Sequence, residues 1–174
     1  PVTPKPVMPE PEKDSPAASP AIAGWPFDGA AAKAKQAADG AITRTVSLGR
    51  GLPMEFVRIP AGRFVMGDAQ GAPDERTLSV QQVEKGFWMG KCEVSNDQFA
   101  QFDAQHDSRF EHRSSWWFDQ EYIGWPLNRP HQPVVRVSWE EAMAFCQWLS
   151  TKLGEEVTLP TEIQWEWACR AGTA

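Results

Sequence analysis

Three helix-start motifs constrain the fold of this chain more than any other feature of its sequence. In a capping box, a hydroxyl accepts from a backbone N–H that the helix leaves unpaired, and a longer side chain three positions on reaches back. The chain contains three such pairs: Ser95 with Gln98, Ser138 with Glu141, and Thr161 with Gln164. The motifs predict that three helices begin directly after Ser95, Ser138 and Thr161.

The segment after the second motif carries a helical pattern. Ala142, Phe145, Cys146 and Leu149 recur at the spacing i, i+3, i+4, i+7, which places them on one face of a helix. Gly154 suits the end of such a helix. The pattern predicts an amphipathic helix over residues 139–152, with Cys146 facing inward.

Short runs of alternating apolar and polar residues predict β-strands. Residues 43–48 and 54–59 flank Gly49-Arg50-Gly51, which is typical of two strands joined by a short glycine turn. Further short strands are predicted at residues 63–67, 78–83 and 87–91. Short strands combined with capped helices indicate an α+β fold class.

The N-terminal region differs from the rest in composition. Eight of the fifteen prolines lie in residues 1–26, mixed with Lys, Glu, Ser and Ala. Such a segment buries too little apolar surface to offset the ordering of its backbone, so an extended Pro-rich linker is predicted. Residues 27–53 are expected to add a leading helix and strand, the helix being capped by Asp28 and closed by Gly40. Residues 54–174 are expected to form the main domain.

Charge and hydropathy exclude two classes of partner. A net charge of −6, from 17 basic and 23 acidic side chains, provides no basic field for a nucleic acid. No run approaches the roughly eighteen apolar residues of a membrane span, and no basic-then-apolar leader opens the chain. Because the first residue is Pro1 and not Met, a removed leader is one explanation. An exported protein, periplasmic, extracellular or on the cell surface, is therefore expected.

Residues 106–133 form a long segment with little periodicity and many aromatic side chains. A loop of this length inside a compact domain is uncommon unless it packs on itself or has a function. Trp116, Trp117 and Trp125 are candidates to line a groove for an extended peptide, because rigid rings give a large contact area with little loss of rotamer entropy. The alternative is that these rings fold inward and fill a satellite core.

Histidines and cysteines define no metal site in this sequence. Histidine is a common metal ligand, but surface or packing roles are favoured for the three that lie in or beside the aromatic segment: His106, His112 and His131. The three cysteines are an odd number, so at least one is free or bridges outward. No Cys-x-x-Cys spacing occurs, which argues against a zinc knuckle or a thioredoxin-type site.

Four motifs, taken in order, resemble the formylglycine-generating-enzyme family, whose members are also called sulfatase-modifying factors. They are residues 56–67 (FVRIPAGRFVMG), 87–99 (FWMGKCEVSNDQF), 133–139 (PVVRVSW) and 159–172 (LPTEIQWEWACRAG). The resemblance covers residues 54–174. It implies that family's variant of the C-type-lectin-like fold, with little regular secondary structure and with only part of the domain present.

The resemblance implies a bacterial, copper-dependent oxidase that converts a cysteine of a sulfatase to formylglycine. In the family the copper and calcium sites belong to the half that follows the position of Gly172, so no catalytic, cofactor-binding or metal-ligating residue is assigned here. Cys146 and Cys169 match positions that form disulfides to that downstream half in the animal enzymes, whereas Cys92 has no such counterpart. A buried structural role for Cys146 is the alternative.

Two functions from different classes follow, because a fold alone does not decide activity. One is the scaffold half of an oxidase that acts on a protein or peptide substrate; the other is a non-catalytic binding or structural module of an envelope or surface assembly. A complementary C-terminal half, or a second chain of the same domain, is the expected partner, since the helix from Glu162 would otherwise present its apolar residues to nothing. The same helix carries Glu166 and Arg170, which form a weak charge ladder if exposed, whereas a buried Arg170 has to be paired.

Overall fold

The protein is described from a computed structural model that defines residues 20–38, 40–109 and 126–173. These ranges contain four helices and five strands. In chain order the elements are α1 (Gly29–Ala38), β1 (Thr43–Ser47), β2 (Pro53–Ile59), β3 (Gly62–Met66), β4 (Ser79–Val83), β5 (Phe87–Gly90), α2 (Asn96–Phe99), α3 (Trp139–Leu153) and α4 (Glu162–Arg170). The α+β class, with little regular secondary structure, is confirmed.

The strands form two small antiparallel sheets. One sheet has the order β1-β2-β5, and the other pairs β3 with β4. In the first, Phe56 lies opposite Arg44 on one side and Gly90 on the other. The predicted hairpin around Gly49-Arg50-Gly51 is confirmed, because β1 and β2 pair antiparallel across this turn, with Thr43 opposite Val57 and Ser47 opposite Pro53.

The capping boxes of α3 and α4 form as predicted. The Ser138 hydroxyl accepts from the Glu141 N–H at 3.2 Å, and the Glu141 carboxylate accepts from the Ser138 N–H at 2.7 Å. Thr161 and Gln164 exchange the same pair of bonds at 3.2 and 2.9 Å. Helix α3 ends at Gly154, whose φ of 69° is the left-handed conformation that favours glycine.

The first capping motif is used differently in the short helix α2. The Ser95 N–H donates to the Gln98 side chain at 3.1 Å, as the motif predicts. The Ser95 hydroxyl instead donates to the Asp97 carboxylate, which also accepts from the Gln98 N–H at 3.0 Å. Asp97 therefore serves the helix start together with Ser95.

The larger core lies between the three-stranded sheet and α3. Its buried members come from β1, β2, α2 and α3 and the segment after β1: Val46, Leu48, Met54, Phe56, Phe99, Phe145 and Leu149. The rings of Phe99 and Phe145 stack at 5.4 Å. The apolar face predicted for α3 therefore packs against the sheet, and Cys146 lies on that buried side.

A second core joins α4 to the β3–β4 pair. Phe64, Val83 and Trp167 are its buried residues. The rings of Trp25 and Phe27 pack against Trp167 at 5.7 and 5.9 Å. The expectation that α4 would have nothing to pack against is wrong, because its apolar side faces this cluster. Two other indoles, Trp139 and Trp165, are 66% and 58% exposed.

Candidate functional site

Residues 106–109 and 126–135 lie on either side of the aromatic-rich segment 110–125. We call these two stretches together the neck. The Leu127 N–H donates to the Arg109 carbonyl at 2.7 Å. The Asn128 side chain donates to the Asp107 carboxylate at 2.9 Å. The neck therefore holds the residues on the two sides of this segment next to each other.

Asn96, the first residue of α2, makes the central contacts to the two stretches of the neck. Its side-chain nitrogen lies within 2.9–3.1 Å of three carbonyl oxygens, those of Leu127, Arg129 and Gln132. Its side-chain oxygen accepts from the Ser108 hydroxyl at 2.6 Å. One amide thus connects the residues before the aromatic segment with those after it.

Ser108 is fully buried and satisfied within the neck. While its hydroxyl donates to Asn96, its oxygen accepts from the Val135 N–H at 3.1 Å. A buried hydroxyl left without partners would cost free energy, so this exchange stabilises the arrangement. The His106 ring lies 2.9 Å from the Val135 carbonyl and packs edge-on against Phe99 at 4.9 Å.

The neck also carries charge. The Asp107 carboxylate accepts from the Arg109 N–H at 2.9 Å and from the Asn128 amide, and these bonds hold its pKa below the ordinary value. His131 lies 3.3 Å from Asp97 and is 91% exposed. The roles of His106 in packing and of His131 at the surface agree with the sequence interpretation, whereas His112 lies outside the described residues.

The proposed groove residues Trp116, Trp117 and Trp125 lie outside the described ranges. The neck that flanks them was not predicted from the sequence. Asn96 lies between the two residues of the first capping motif and Ser108 lies in no motif, so neither residue signals its partners, which are up to 36 residues away along the chain.

The cysteines are free thiols. Cys146 is buried, and burial raises the pKa of its thiol, whereas Cys169 and Cys92 are exposed. A Cu(I) site needs two thiolates that face each other. A buried protonated thiol on α3 and an exposed thiol on α4 do not fit copper. The disulfides expected to a downstream half stay a prediction.

The part of the chain that the structure defines contains no cluster of ligands for a hard cation. No group of three or more His, Cys, Asp or Glu residues gathers there. The Asp28 carboxylate caps α1 by accepting from the Ala31 N–H at 2.8 Å. Glu75 accepts from the Ala72 N–H at 2.8 Å. Asp28 therefore caps a helix, and Glu75 stabilises a local turn.

None of the helices in the described ranges is long and apolar enough to cross a bilayer.

Comparison with known proteins identifies the family of this chain. Residues 47–174 match the family model described as "Sulfatase-modifying factor enzyme 1-like domain". The formylglycine-generating enzyme of Bos taurus is 29% identical over 157 residues, which cover 69% of this chain and 40% of that protein. The inactive C-alpha-formylglycine-generating enzyme 2 of Bos taurus is 28% identical, with 74% of this chain and 53% of that protein covered.

A solved structure supports the fold. PvdO from Pseudomonas aeruginosa superimposes with a TM-score of 0.56 at 23% identity, over 75% of this chain and 52% of that one. The expected formylglycine-generating-enzyme variant of the C-type-lectin-like fold is confirmed. The chain spans about half the length of the proteins it matches. From the four motifs, the fold and the family match, this chain belongs to the sulfatase-modifying-factor family.

Proposed function

We propose that this chain is the scaffold half of a formylglycine-generating-enzyme-like domain in an exported bacterial protein, and that it holds a cysteine-containing segment of a sulfatase. The rings of Trp116, Trp117 and Trp125 would contact the bound peptide. The family model, described as a sulfatase-modifying factor, supports the substrate class.

The neck is the observation that carries this proposal. A groove binds well when its walls are ordered before the ligand arrives, since ordering on binding lowers affinity. Hydrogen bonds of 2.6–2.9 Å from the Asn96 amide, the Ser108 hydroxyl and the Leu127 N–H connect the two sides of the Trp-bearing segment. Such a base suits a segment that presents side chains to a partner.

Oxidation of the bound cysteine would need groups that the described residues lack. Copper has no fitting ligand pair among them, since Cys146 is a buried thiol and Cys169 is exposed. We therefore assign substrate holding, and no catalytic step, to this chain. The partner in the proposal is the complementary half of the same domain.

Peptide binding tests the proposal directly. A fluorescein-labelled peptide that spans the target cysteine of a bacterial sulfatase is titrated with the 174-residue chain, and anisotropy is measured. The triple variant Trp116→Ala/Trp117→Ala/Trp125→Ala is expected to bind at least about tenfold more weakly, because each aromatic contact contributes on the order of 1 kcal/mol.

A matched control uses the two exposed indoles outside the segment. The double variant Trp139→Ala/Trp165→Ala is expected to bind the peptide within about twofold of the parent chain. Equal binding by the triple variant and the parent, or no saturable binding by the parent, would show that this chain is not the peptide-holding half. Far-UV circular dichroism confirms that each variant is folded.

A non-catalytic binding or structural module in an envelope or surface assembly is the second candidate. Its support is the 28% identity to a protein named inactive, together with the exposure of Trp139 and Trp165. One experiment separates the two candidates. The peptide is incubated with the full-length protein, Cu(I) and oxygen, and its mass is then measured. Conversion of the thiol to an aldehyde supports the oxidase, and binding without conversion supports the module.

Export is part of the proposal because disulfides form in oxidising compartments. If Cys146 and Cys169 pair with a complementary half, that pairing requires such a compartment. Fractionation of cells that express the protein, followed by non-reducing electrophoresis, is expected to place it outside the cytosol in disulfide-bonded form. A reduced cytosolic protein would contradict this.

A further inference from the structure

Residues 20–28, which precede α1, form a segment that we call the strap. The Trp25 ring of the strap packs against the rings of Phe64 and Trp167, with centroids 6.0 and 5.7 Å apart. The Phe27 ring meets Trp167 edge-on at 5.9 Å. Phe64 and Trp167 are buried residues of the second core. The strap therefore covers, with two rings, an aromatic face made by β3 and α4.

This face and Gly172 together form a site that fits the strap closely, and we call it the seat. The Phe27 N–H donates to the Gly172 carbonyl at 2.8 Å, so the strap also binds through its main chain. A Cβ added to Gly172 would overlap the Phe27 ring. Only glycine allows this close approach. The seat is thus shaped for an aromatic side chain at position 27.

The helix that follows the strap adds little to this attachment. None of the residues of α1 is buried. A cleft of about 120 Å³ is lined by α1 together with Ile59 and Trp167. The Gln36 side chain donates to the Arg58 carbonyl at 2.7 Å and joins α1 to β2. The attachment of residues 20–38 therefore depends mainly on the strap, and α1 can move away together with it.

A strap that leaves its seat exposes the Phe64 and Trp167 rings to water, which is unfavourable. The strap of another copy of the chain matches the seat in every contact, because its sequence is identical. Two chains that exchange straps form a closed pair in which both seats are filled. The contacts within each filled seat are then the same as those in the single chain.

We propose that the seat is a docking site for the Trp25-Pro26-Phe27 strap, and that a second copy of the chain supplies the strap when the chain's own strap is displaced. The docked strap places its two rings on the Phe64–Trp167 face and its main-chain N–H on the Gly172 carbonyl. The seat contains no residue of the neck, so this interaction is additional to the proposed holding of a sulfatase peptide.

A peptide with the sequence of the strap tests the seat. Fluorescein-labelled peptide of residues 20–30 is titrated with the 174-residue chain, and anisotropy is measured. The variant Trp25→Ala/Phe27→Ala, whose own strap no longer fills the seat, is expected to bind one peptide saturably. The parent chain is expected to bind it at least about tenfold more weakly, because its tethered strap competes at a high effective concentration.

Two controls locate the binding in the seat. The same peptide with Trp25→Ala and Phe27→Ala is expected not to bind the double variant. Gly172→Ala, added to the double variant, is expected to weaken binding of the unchanged peptide at least about tenfold, because the new Cβ overlaps its Phe27 ring. Gly51→Ala is the matched control, since Gly51 also has a positive φ, of 77°, but open space around it. It is expected to leave the affinity within about twofold.

Two further measurements do not depend on the double variant being folded. Phe27→Ala alone keeps Trp25 on the core, and it is expected to bind the peptide more tightly than the parent does. The parent chain, refolded from urea at high protein concentration, is expected to yield a fraction of dimer in size-exclusion chromatography with light scattering. Phe27→Ala is expected to yield less dimer.

Absence of saturable peptide binding by both Phe27 variants would overturn the proposal. Equal affinity in the parent and these variants would also overturn it, and so would binding that Gly172→Ala leaves unchanged, because the peptide would then lie elsewhere. A parent chain that refolds only as a monomer, or a Phe27→Ala variant that dimerises equally, would contradict exchange between copies. Circular dichroism spectra confirm that the proteins compared are folded.

Discussion

Glu166 and Arg170 form an ion pair at 2.7 Å across one turn of α4, and together they hold both main-chain groups of Gly67. The Glu166 carboxylate accepts from the Gly67 N–H at 2.9 Å, and the Arg170 guanidinium donates to the Gly67 carbonyl at 2.6 Å. Their side chains are only about a fifth exposed, at 20% and 19%. The pair therefore fastens α4 to the end of β3, as expected for an arginine that is mostly buried and must be paired.

Arg170→Ala is expected to lower the free energy of unfolding by about 2 to 3 kcal/mol, because it leaves Glu166 and the Gly67 carbonyl without their partner. Arg44→Ala provides the control, since the Arg44–Glu155 pair is 33% and 53% exposed and should contribute less than about 1 kcal/mol. Urea unfolding measures both. Similar losses of unfolding free energy in the two variants would show that burial of the Glu166–Arg170 pair does not increase its contribution to stability.

Gly67→Ala is expected to destabilise the protein by about 3 kcal/mol. At its φ of 100° an L side chain is strained, and an added Cβ would lie 2.8 Å from the Glu75 carbonyl and 2.9 Å from the Thr77 carbonyl. Gly40→Ala is the matched control, because Gly40 has a φ of 96° and open space around it, so only the strain of about 1 kcal/mol applies. Thermal unfolding gives the comparison. Equal losses of stability in the two variants would mean that the Glu75 and Thr77 carbonyls move away from the added Cβ without destabilising the protein.

Asp107 makes the stability of the neck depend on pH. Its hydrogen bonds from the Arg109 N–H and the Asn128 amide lower its pKa in the folded state, so its contribution is fully present above roughly pH 4 and is lost as the pH falls through the lowered value. The difference in stability between the parent and Asp107→Asn is expected to be constant above about pH 5 and to shrink below roughly pH 4. Urea unfolding as a function of pH measures it. A difference that persists unchanged toward pH ~2 would exclude this role for the carboxylate.

The cysteines are expected to differ in reactivity. Cys92 and Cys169 are exposed, whereas Cys146 is buried with a raised pKa, so the reduced folded chain should expose two thiols to a maleimide and the unfolded chain three. Mass spectrometry counts the labels. Cys146→Ala should leave the fast labelling unchanged and remove the slow third label. Rapid labelling of Cys146 in the folded chain would place it at the surface.

Features that depend on near neighbours were predictable from the sequence. Ser138 with Glu141 and Thr161 with Gln164 meet across one turn, so a motif of four residues is enough to locate the start of each helix. The β1–β2 hairpin followed from alternation and a short glycine turn for the same reason.

The candidate site was only partly predictable. Trp116, Trp117 and Trp125 stood out by residue type, but the network that flanks them did not. Asn96 bonds to a carbonyl 36 residues away, and neither it nor Ser108 lies in a pattern that reports such a partner. Buried hydrogen bonds of this kind depend on how the chain folds back on itself.

The amino-acid sequence alone determined the family, the capped helices, the hairpin and the inward face of α3, because each of these is written in residues close together or in ordered motifs. Tertiary structure alone decided that Trp167 packs against Trp25 and Phe27, that Arg170 reaches a carbonyl 103 residues away, and that Asn96 connects the two sides of the neck. Local periodicity reports which face of an element is apolar. It does not report which distant residue covers that face, since that choice depends on packing the whole chain at once.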